Sequence, residues 1–385
     1  MNFDLSEEQI MLKDSARKLM EREVVPFLAS FPKDRPLPPD KIKELLKKLI
    51  PLGYLGSIIP VEYGGAGLDY LTYGLLMEEL EPSIYGLVMI TGGTARSVYF
   101  LGNETQKRIF IPPILSAEKI GCSAITEPNV GSNPAFVQTR AVLESGHYVL
   151  NGTKTWITNG AFADIAFTLA TTDPTKGKKG LCRFIVDKEV SPFKAKAIET
   201  LEDDWQVPSV AELVFEDCRV PQENVLGVSG EGLKDTLVAF QAARCFVAIG
   251  SIGLAQRAID ATVRYAKERV QFGKVIGKFQ LIQAMVADMI AETDAARLLA
   301  YRALSKVQRG VRCARETSIA KFYATEAAVR VTSMAIQVHG AYGLSKEYPV
   351  EALFRRARMM TIPDGTTQIQ KLIVAREILG MQAFV

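Results

Sequence analysis

The hydrophobic period of this 385-residue chain changes twice along its length, and that change limits the folds open to it. In the first 120 residues apolar side chains recur at helical spacing. Leu12, Ala16, Leu19 and Met20 stand at i, i+4, i+7 and i+8, on one helical face. Ahead of them, Ser6-Glu7-Glu8-Gln9 fits a capping box in which Ser6 caps the helix and Gln9 reaches back. The proline-rich run Pro32 to Pro39 breaks the chain before a second helix over Asp40 to Leu49. Gly64-Gly65-Ala66-Gly67 is a further loop, and two more helical stretches reach about Ala117.

From Cys122 onward the pattern is that of strands. Tyr148-Val149-Leu150, Asn151-Gly152 and Thr155-Trp156-Ile157-Thr158 together read as a hairpin, because Asn-Gly tolerates the positive φ of a tight turn. Ile165 to Ala170 and Cys182 to Val186 read as strands separated by a Lys/Gly-rich turn at Lys176 to Gly180, and Glu212 to Glu216 as a last short strand. Beyond Gly232 the helical period returns at length. Ile282, Met285, Met289, Ala296 and Leu299 share one face, with Asp294 and Arg297 on the other side. So long a run with few Gly or Pro suggests a helix bundle. The expected fold is therefore α+β and multidomain: an N-terminal α-helical domain (1–121), a middle β-domain (122–228) and a C-terminal helical bundle (229–385). The length agrees, since it exceeds what one hydrophobic core usually supports.

Composition excludes several classes of function. The formal net charge is +3 and no long basic block occurs, which argues against nucleic acid as a partner. No apolar run is expected to reach transmembrane length, and Met1 to Glu8 lacks the basic start and apolar core of a signal peptide, so no membrane association is expected. Five widely spaced cysteines form neither a CxxC pair nor a disulfide ladder, and only two histidines are present, so no metal site is expected. A reducing, cytoplasmic location is the expectation.

Singly, the segments that carry chemistry are ordinary. Thr126-Glu127-Pro128-Asn129-Val130-Gly131-Ser132 is a small-residue loop rich in hydroxyls and backbone donors. Arg269-Val270-Gln271-Phe272-Gly273-Lys274 reads as a helix end followed by Gly. Gly340-Ala341-Tyr342-Gly343 reads as a turn, and Asp364-Gly365-Thr366 as a cap of the last helix. In this order and spacing, however, the chain resembles the acyl-CoA dehydrogenase family over essentially its whole length. The likeness runs from Phe3-Asp4-Leu5-Ser6-Glu7-Glu8-Gln9 through Val61-Glu62-Tyr63-Gly64-Gly65, Val220-Pro221-Gln222-Glu223-Asn224-Val225-Leu226-Gly227 and Glu347-Tyr348-Pro349-Val350 to Ala375-Arg376-Glu377.

The resemblance implies a helical domain, a middle β-barrel-like domain and a C-terminal four-helix domain, assembled as a homotetramer with FAD at subunit contacts. It implies that Ser123, Ile125, Thr126, Gly131 and Ser132, with Trp156, Ile157 and Thr158, cradle the isoalloxazine. Arg269, Gln271, Phe272 and Gln280 would meet the diphosphate and adenosine side, Gln337, Val338, Gly340 and Ala341 the adenine end, and Thr366 and Gln368 the region beyond the base. Ser132, Gln241 and Arg244 would contact the CoA portion of an acyl-CoA, and Asp364 and Gly365 its thioester. An electron-transferring flavoprotein is the acceptor such a family implies.

The reaction needs a carboxylate to remove the α-proton, hydrogen bonds on the thioester oxygen, a hydride acceptor on the opposite face, and a dry apolar slot. In the family the base stands at one of two positions, filled here by Asp364 and by Ala243. Ala243 has no acid to offer, which leaves Asp364, where most relatives carry Glu. The shorter arm withdraws the carboxylate by about 1.5 Å, and a misplacement of about 1 Å can cost about a hundredfold in rate. A shifted loop or a bulkier acyl group, branched or alicyclic as in cyclohexanecarboxyl-CoA, would compensate. Other departures are Gln241 for a common Asp, Asp203-Asp204-Trp205-Gln206 for a Gly- and Arg-containing loop, and Arg356 for a common Asp.

The segment that lines the distal pocket in relatives, Ser83 to Thr94, contains no cation for a second carboxylate and no further acid. An uncharged acyl group and ordinary α,β-dehydrogenation are expected, with Ile84, Leu87 and Ile90 divided between pocket and helix core. Three alternatives share these features: an enoyl-CoA reductase running in reverse, a flavin oxidase of the nitroalkane type that also carries Asp here, and a non-catalytic flavoprotein.

Overall fold

A computed structural model describes residues 4–202, 206–207 and 210–383. Phe3 of the opening motif and Asp203, Asp204 and Trp205 of the departing loop lie outside them. The chain forms two compact units, Met1–Leu76 with Ser83–Ala239 and Met77–Pro82 with Phe240–Val385.

The first unit opens with helix α1 (Glu7–Leu19), and both halves of the capping box are present: Gln9 N donates to Ser6 Oγ at 3.2 Å and Ser6 N to Gln9 Oε1 at 3.1 Å. The helix widens into a π turn over Met20–Val24, in which Val25 N donates to Met20 O. Pro26, at the start of α2 (Val25–Ala29), has no N–H to extend the regular ladder. Helices α3 (Pro39–Leu49), α4 (Tyr70–Glu79), α5 (Tyr85–Leu101) and α6 (Glu104–Leu115) follow, with α4 passing into the residues of the second unit.

The β-region contains strands β1 (Gly121–Ala124), β2 (Arg140–Glu144), β3 (His147–Thr158), β4 (Ile165–Thr171), β5 (Leu181–Asp187), β6 (Lys194–Ile198), β7 (Val210–Pro221) and β8 (Val225–Leu226). They form one sheet in the order β6-β7-β3-β2-β4-β5-β8, with β1 parallel to β4. β4 is buried along its whole length, as a strand covered on both faces must be.

The Asn151-Gly152 hairpin is not there. β3 runs straight through it, and the tight turn is Ser145-Gly146, both at positive φ, joining β2 to β3. Asn151-Gly152 is instead a bulge against β7, where the register slips between Leu150 and Gly152. Asn151 Oδ1 accepts from Asp217 N at 2.9 Å, and a Cβ on Gly152 would lie 2.5 Å from Thr139 Oγ1. The glycine therefore serves a close backbone approach, not a turn. β6 and the length of β7 also go beyond the sequence reading; Lys194 and Lys196 give the edge strand β6 too little apolar character to be recognised.

Helix α7 (Gly232–Glu268) begins in the first unit and continues into the second. It is long and apolar enough to cross a membrane by length and composition, which corrects the expectation that no run reaches that length. Of its most apolar window, 61% is buried inside the protein, as in a core helix. After α7 a short hairpin, β9 (Val270–Gln271) with β10 (Lys274–Val275), turns at Phe272 and Gly273, both left-handed, so the expected helix end carries a strand pair as well.

Helices α8 (Gln280–Gln308), α9 (Ala314–His339), α10 (Val350–Met360) and α11 (Thr367–Leu379) complete the bundle. Its core joins Leu254, Ala258 and Ile259 of α7 to Met289, Ala328, Val331 and Leu353. On α8 the inward face holds Met289, Thr293, Ala296 and Ala300, while Ile282, Met285 and Leu299 are half-buried. Arg297 does not face away as its helical position suggested. It donates to the buried Glu78 carboxylate at 3.2 Å, and Tyr301 Oη donates to the same acid at 3.0 Å.

Candidate active site

In the first unit the loop after β1 meets β3. Thr155 N donates to Thr126 O at 2.9 Å, which brings the Ser123–Ser132 segment alongside Trp156–Thr158. A buried ion pair lies beneath. Glu127 accepts from Lys154 Nζ at 2.8 Å, Gln138 N at 2.7 Å, Thr139 N at 2.8 Å and Thr139 Oγ1 at 2.5 Å. Lys154 also donates to Ile125 O at 3.0 Å. Burial pushes the Glu127 carboxyl up, but Lys154 and these hydrogen bonds outweigh it and hold the acid below its usual range. Burial draws Lys154 down to about 8 against the pull of Glu127.

Above this pair, β3 slips register against β7 between Lys154 and Ile157, and Trp156 adopts φ +61° with 59% of its surface exposed. A left-handed aromatic is costly backbone, and a bulge re-aims a side chain at the expense of ladder bonds. Ile157 turns its side chain into the β-core, so only its backbone faces the loop side, and Ser132 and Gly131 are exposed. An exposed indole beside an open loop of hydroxyls and amides fits a flat, polar-edged ring system such as isoalloxazine.

In the second unit the structure brings the β9–β10 hairpin to the end of α9. The Arg269 guanidinium lies over the Tyr342 ring at 5.3 Å, and Tyr265 stacks on His339 at 4.3 Å and donates to its carbonyl at 3.3 Å. Val338 is packed into that cluster, whereas Gln271, Gln280, Gln337, Gly340 and Ala341 are exposed, and Phe272 is 92% exposed. Arg269 is a suitable cation for a diphosphate. Thr366 is occupied as the cap of α11, accepting from Ile369 N at 3.4 Å, and Gln368 is exposed on its first turn.

The connection from α10 to α11 carries Asp364, at φ +54°, a left-handed position that Asp tolerates better than most residues. Its Oδ2 is shielded from solvent and, among the described residues, has no hydrogen-bond partner. Burial raises this carboxyl above its ordinary value, and the nearby cations Lys321 and Arg244 only partly offset that. The loop's backbone, by contrast, is tied down. Gln370 Nε2 donates to Asp364 O and Gly365 O at 3.0 Å each, and Arg244 Nε to Asp364 O at 3.4 Å. Lys321, fully buried on α9, donates to Thr361 O at 2.8 Å and Gly365 O at 3.0 Å. Gln241 takes Cys313 Sγ on its amide oxygen at 3.4 Å, which leaves its NH2 group as the donor.

Sequence reasoning named neither Lys321 nor Lys154. Both lie among positions that are otherwise small or apolar, and a lysine there is almost never fully buried without a partner. Lys321 is in helical register with Thr317, Ala324, Thr325 and Ala328, all buried, and that register was the available signal.

Three family models cover nearly the whole chain: acyl-CoA dehydrogenase N-terminal domain over 6–118, middle domain over 122–218 and C-terminal domain over 230–379. Acryloyl-CoA reductase (NADH) of Anaerotignum propionicum is 38% identical, over 98% of this chain and 96% of its own length. The butyryl-CoA dehydrogenase structure from Megasphaera elsdenii superposes with a TM-score of 0.92 at 35% identity, covering 98% of this chain and 100% of that one. A chain from structural work on the electron transferring flavoprotein of Acidaminococcus fermentans and flavin-based electron bifurcation gives 0.93 at 36%, with coverages of 98% and 100%. The likeness spans all three segments in order, and the chain belongs to the acyl-CoA dehydrogenase family, flavoprotein oxidoreductases that act on CH–CH donors.

Proposed function

We propose that this enzyme is FAD-dependent and converts an uncharged acyl-CoA to its 2-enoyl thioester, with Asp364 as the base. The observation that carries the reading is the half-buried Asp364, whose Oδ2 is shielded from solvent and without a hydrogen-bond partner among the described residues, and whose carboxyl burial raises above its ordinary pKa. A structural acid in such a place is normally saturated with donors. One left bare is poised to take a proton.

In this reading Asp364 accepts the α-proton, and its own backbone N–H, with Gly365, holds the thioester oxygen where negative charge develops. Ser132, Gln241 and Arg244 orient the CoA portion. Ser123, Ile125, Thr126, Gly131, Trp156, Ile157 and Thr158 hold one end of FAD. Arg269, Gln271, Phe272, Gln280, Gln337, Val338, Gly340, Ala341, Thr366 and Gln368 hold the other, partly from a neighbouring subunit. When bound, the flavin supplies the hydride acceptor for the β-carbon. The 92% exposure of Phe272 and 79% exposure of Leu281 support a homotetramer, because a lone chain leaves both in water. A purified monomer with full FAD occupancy would contradict that assembly. The likeness to the chain from the electron transferring flavoprotein work supports such a flavoprotein as acceptor.

The uncharged substrate follows from Ser83–Thr94, which carries no cation. Ile84 and Leu87 are core, and Met89 and Ile90 are half-buried. The short arm of Asp364 favours a branched or alicyclic acyl group. Anaerobic flavin bleaching with butyryl-, isobutyryl-, cyclohexanecarboxyl- and glutaryl-CoA tests this. Uncharged thioesters are expected to bleach the flavin at least about tenfold faster than glutaryl-CoA. A faster glutaryl-CoA reaction overturns the pocket, and no bleaching by any thioester overturns the activity. The acryloyl-CoA reductase relative favours a second reading, the same site run toward saturation. It would show as faster reoxidation of reduced enzyme by the enoyl-CoA than by the electron-transferring flavoprotein.

A further inference from the structure

Among the described residues, Arg244 Nε, Lys321 Nζ and Gln370 Nε2 donate to backbone oxygens of the Asp364 loop, and no donor reaches Asp364 Oδ2. Lys321 and Gln370 are both fully buried, and of the two only Lys321 carries a charge. Its ammonium reaches Thr361 O, at the C-terminal end of α10, and Gly365 O, immediately before the Thr366 cap of α11. These two carbonyls bracket the residues that carry the base. A cation at a helix C-terminus also meets the favourable end of that helix's dipole. Placing an ammonium in a fully buried position is expensive, and two carbonyls do not neutralise it. The unpaired negative charge within reach of its field is Asp364.

We infer that Lys321 is a positioning residue for proton abstraction: it clamps the two carbonyls flanking Asp364 and lends the bare carboxylate the positive field that keeps it ionised. The inference rests on Asp364 being the base. The groups that face this arrangement are Arg244 from α7, Glu326 from α9, which accepts from Thr367 Oγ1 at 2.6 Å, and Arg376 from α11, which acts on Arg244. Burial draws the Lys321 ammonium down to about 8, Asp364 and Glu326 pull it up, and Arg244 pushes it down. Lys321 and Asp364 thus each hold the other in its charged form. Gln370 supplies neutral hydrogen bonds to the same loop and cannot supply the field.

Charge and clamp separate by substitution. Lys321→Gln keeps a donor and removes the charge, whereas Lys321→Arg keeps the charge and changes the reach. The measurement is the pH profile of single-turnover flavin bleaching in the FAD-loaded enzyme, with butyryl- or cyclohexanecarboxyl-CoA, whichever bleaches wild type faster. Removing a cation makes the carboxylate harder to ionise. The acidic limb of the profile should therefore move to higher pH in Lys321→Gln, with a rate loss of about tenfold to a hundredfold at the plateau and little change in acyl-CoA binding. Lys321→Arg should return the limb to its wild-type position without restoring the full plateau.

A purely structural lysine would lower FAD content and stability while leaving the limb in place. A Lys321→Gln profile whose limb coincides with wild type overturns the inference, as does a Lys321→Gln chain that fails to fold, because the neutral donors of Gln370 remain. Asp364→Asn run alongside separates the two failures. If it bleaches at the wild-type rate, the base reading itself is wrong. If it is silent and the Lys321→Gln limb has not moved, only the role of Lys321 is wrong.

Discussion

Two loops of this enzyme are each fastened by a buried lysine, and the acids beside those lysines are treated in opposite ways. At the Thr126–Ser132 loop, Lys154 meets the Glu127 carboxylate directly, and three further donors complete it. At the α10–α11 connection, Lys321 takes the carbonyls on either side of Asp364 and leaves the carboxylate bare. Burial pushes both acids up. At Glu127 the donors win and the acid is held below its usual range, whereas at Asp364 burial wins and the acid is raised. The same two residue types therefore give a saturated ion pair in one loop and a bare acid, the proposed base, in the other. What decides is where the lysine's protons go.

The opposite signs can be tested by breaking each acid in turn. The largest effect on stability is expected at the saturated pair. Glu127→Gln leaves Lys154 buried without its counter-charge, and breaking a buried pair of this kind costs about 3–5 kcal/mol. Denaturant unfolding of the FAD-loaded protein measures it, and FAD content should fall with it because the loop proposed to hold the flavin is released. Glu127 is depressed in the fold, so its contribution is present above its unfolded pKa and is lost as pH falls through the folded one. Glu127→Gln should accordingly flatten the acid side of the stability profile. An unchanged midpoint and an unchanged acid limb would show that the pair fastens nothing.

A smaller effect of opposite sign is expected at Asp364. Its folded pKa lies above its unfolded value, so its contribution is fully present below the unfolded pKa and is lost as pH rises through the folded one. At neutral pH the ionised carboxylate is a burden on the fold. Asp364→Asn should relieve it, although Lys321 then loses a counter-charge, so the gain is expected at the low end of the about 0.5–2 kcal/mol usual for a single stabilising substitution. Thermal unfolding at neutral pH checks the sign. A destabilised Asp364→Asn would place Asp364 with Glu127 as a structural acid.

The contrast was only half legible in the sequence. The capping box at Ser6 could be read because both partners lie within three residues. Asp364 could be read from the motif around it. Lys154, Lys321 and the Arg297–Glu78 contact could not be paired, because their partners stand 27, 40 and 219 residues away along the chain. Local periodicity carries no information at that range. The Asn151-Gly152 pair shows the converse error: a strong local turn signal was overruled by pairing with β7 and by Thr139, whose Oγ1, Cα and Cβ fill the space a Cβ would need.

The most direct test of Asp364 as the base is anaerobic single-turnover flavin bleaching by an uncharged acyl-CoA, comparing wild type with Asp364→Asn at matched FAD content. The substitution is nearly isosteric and keeps the backbone N–H assigned to the thioester oxygen, so acyl-CoA binding should persist. The expected result is intact FAD and thioester binding with flavin reduction slowed by about two to four orders of magnitude. Bleaching of Asp364→Asn at the wild-type rate would contradict it and place the base elsewhere.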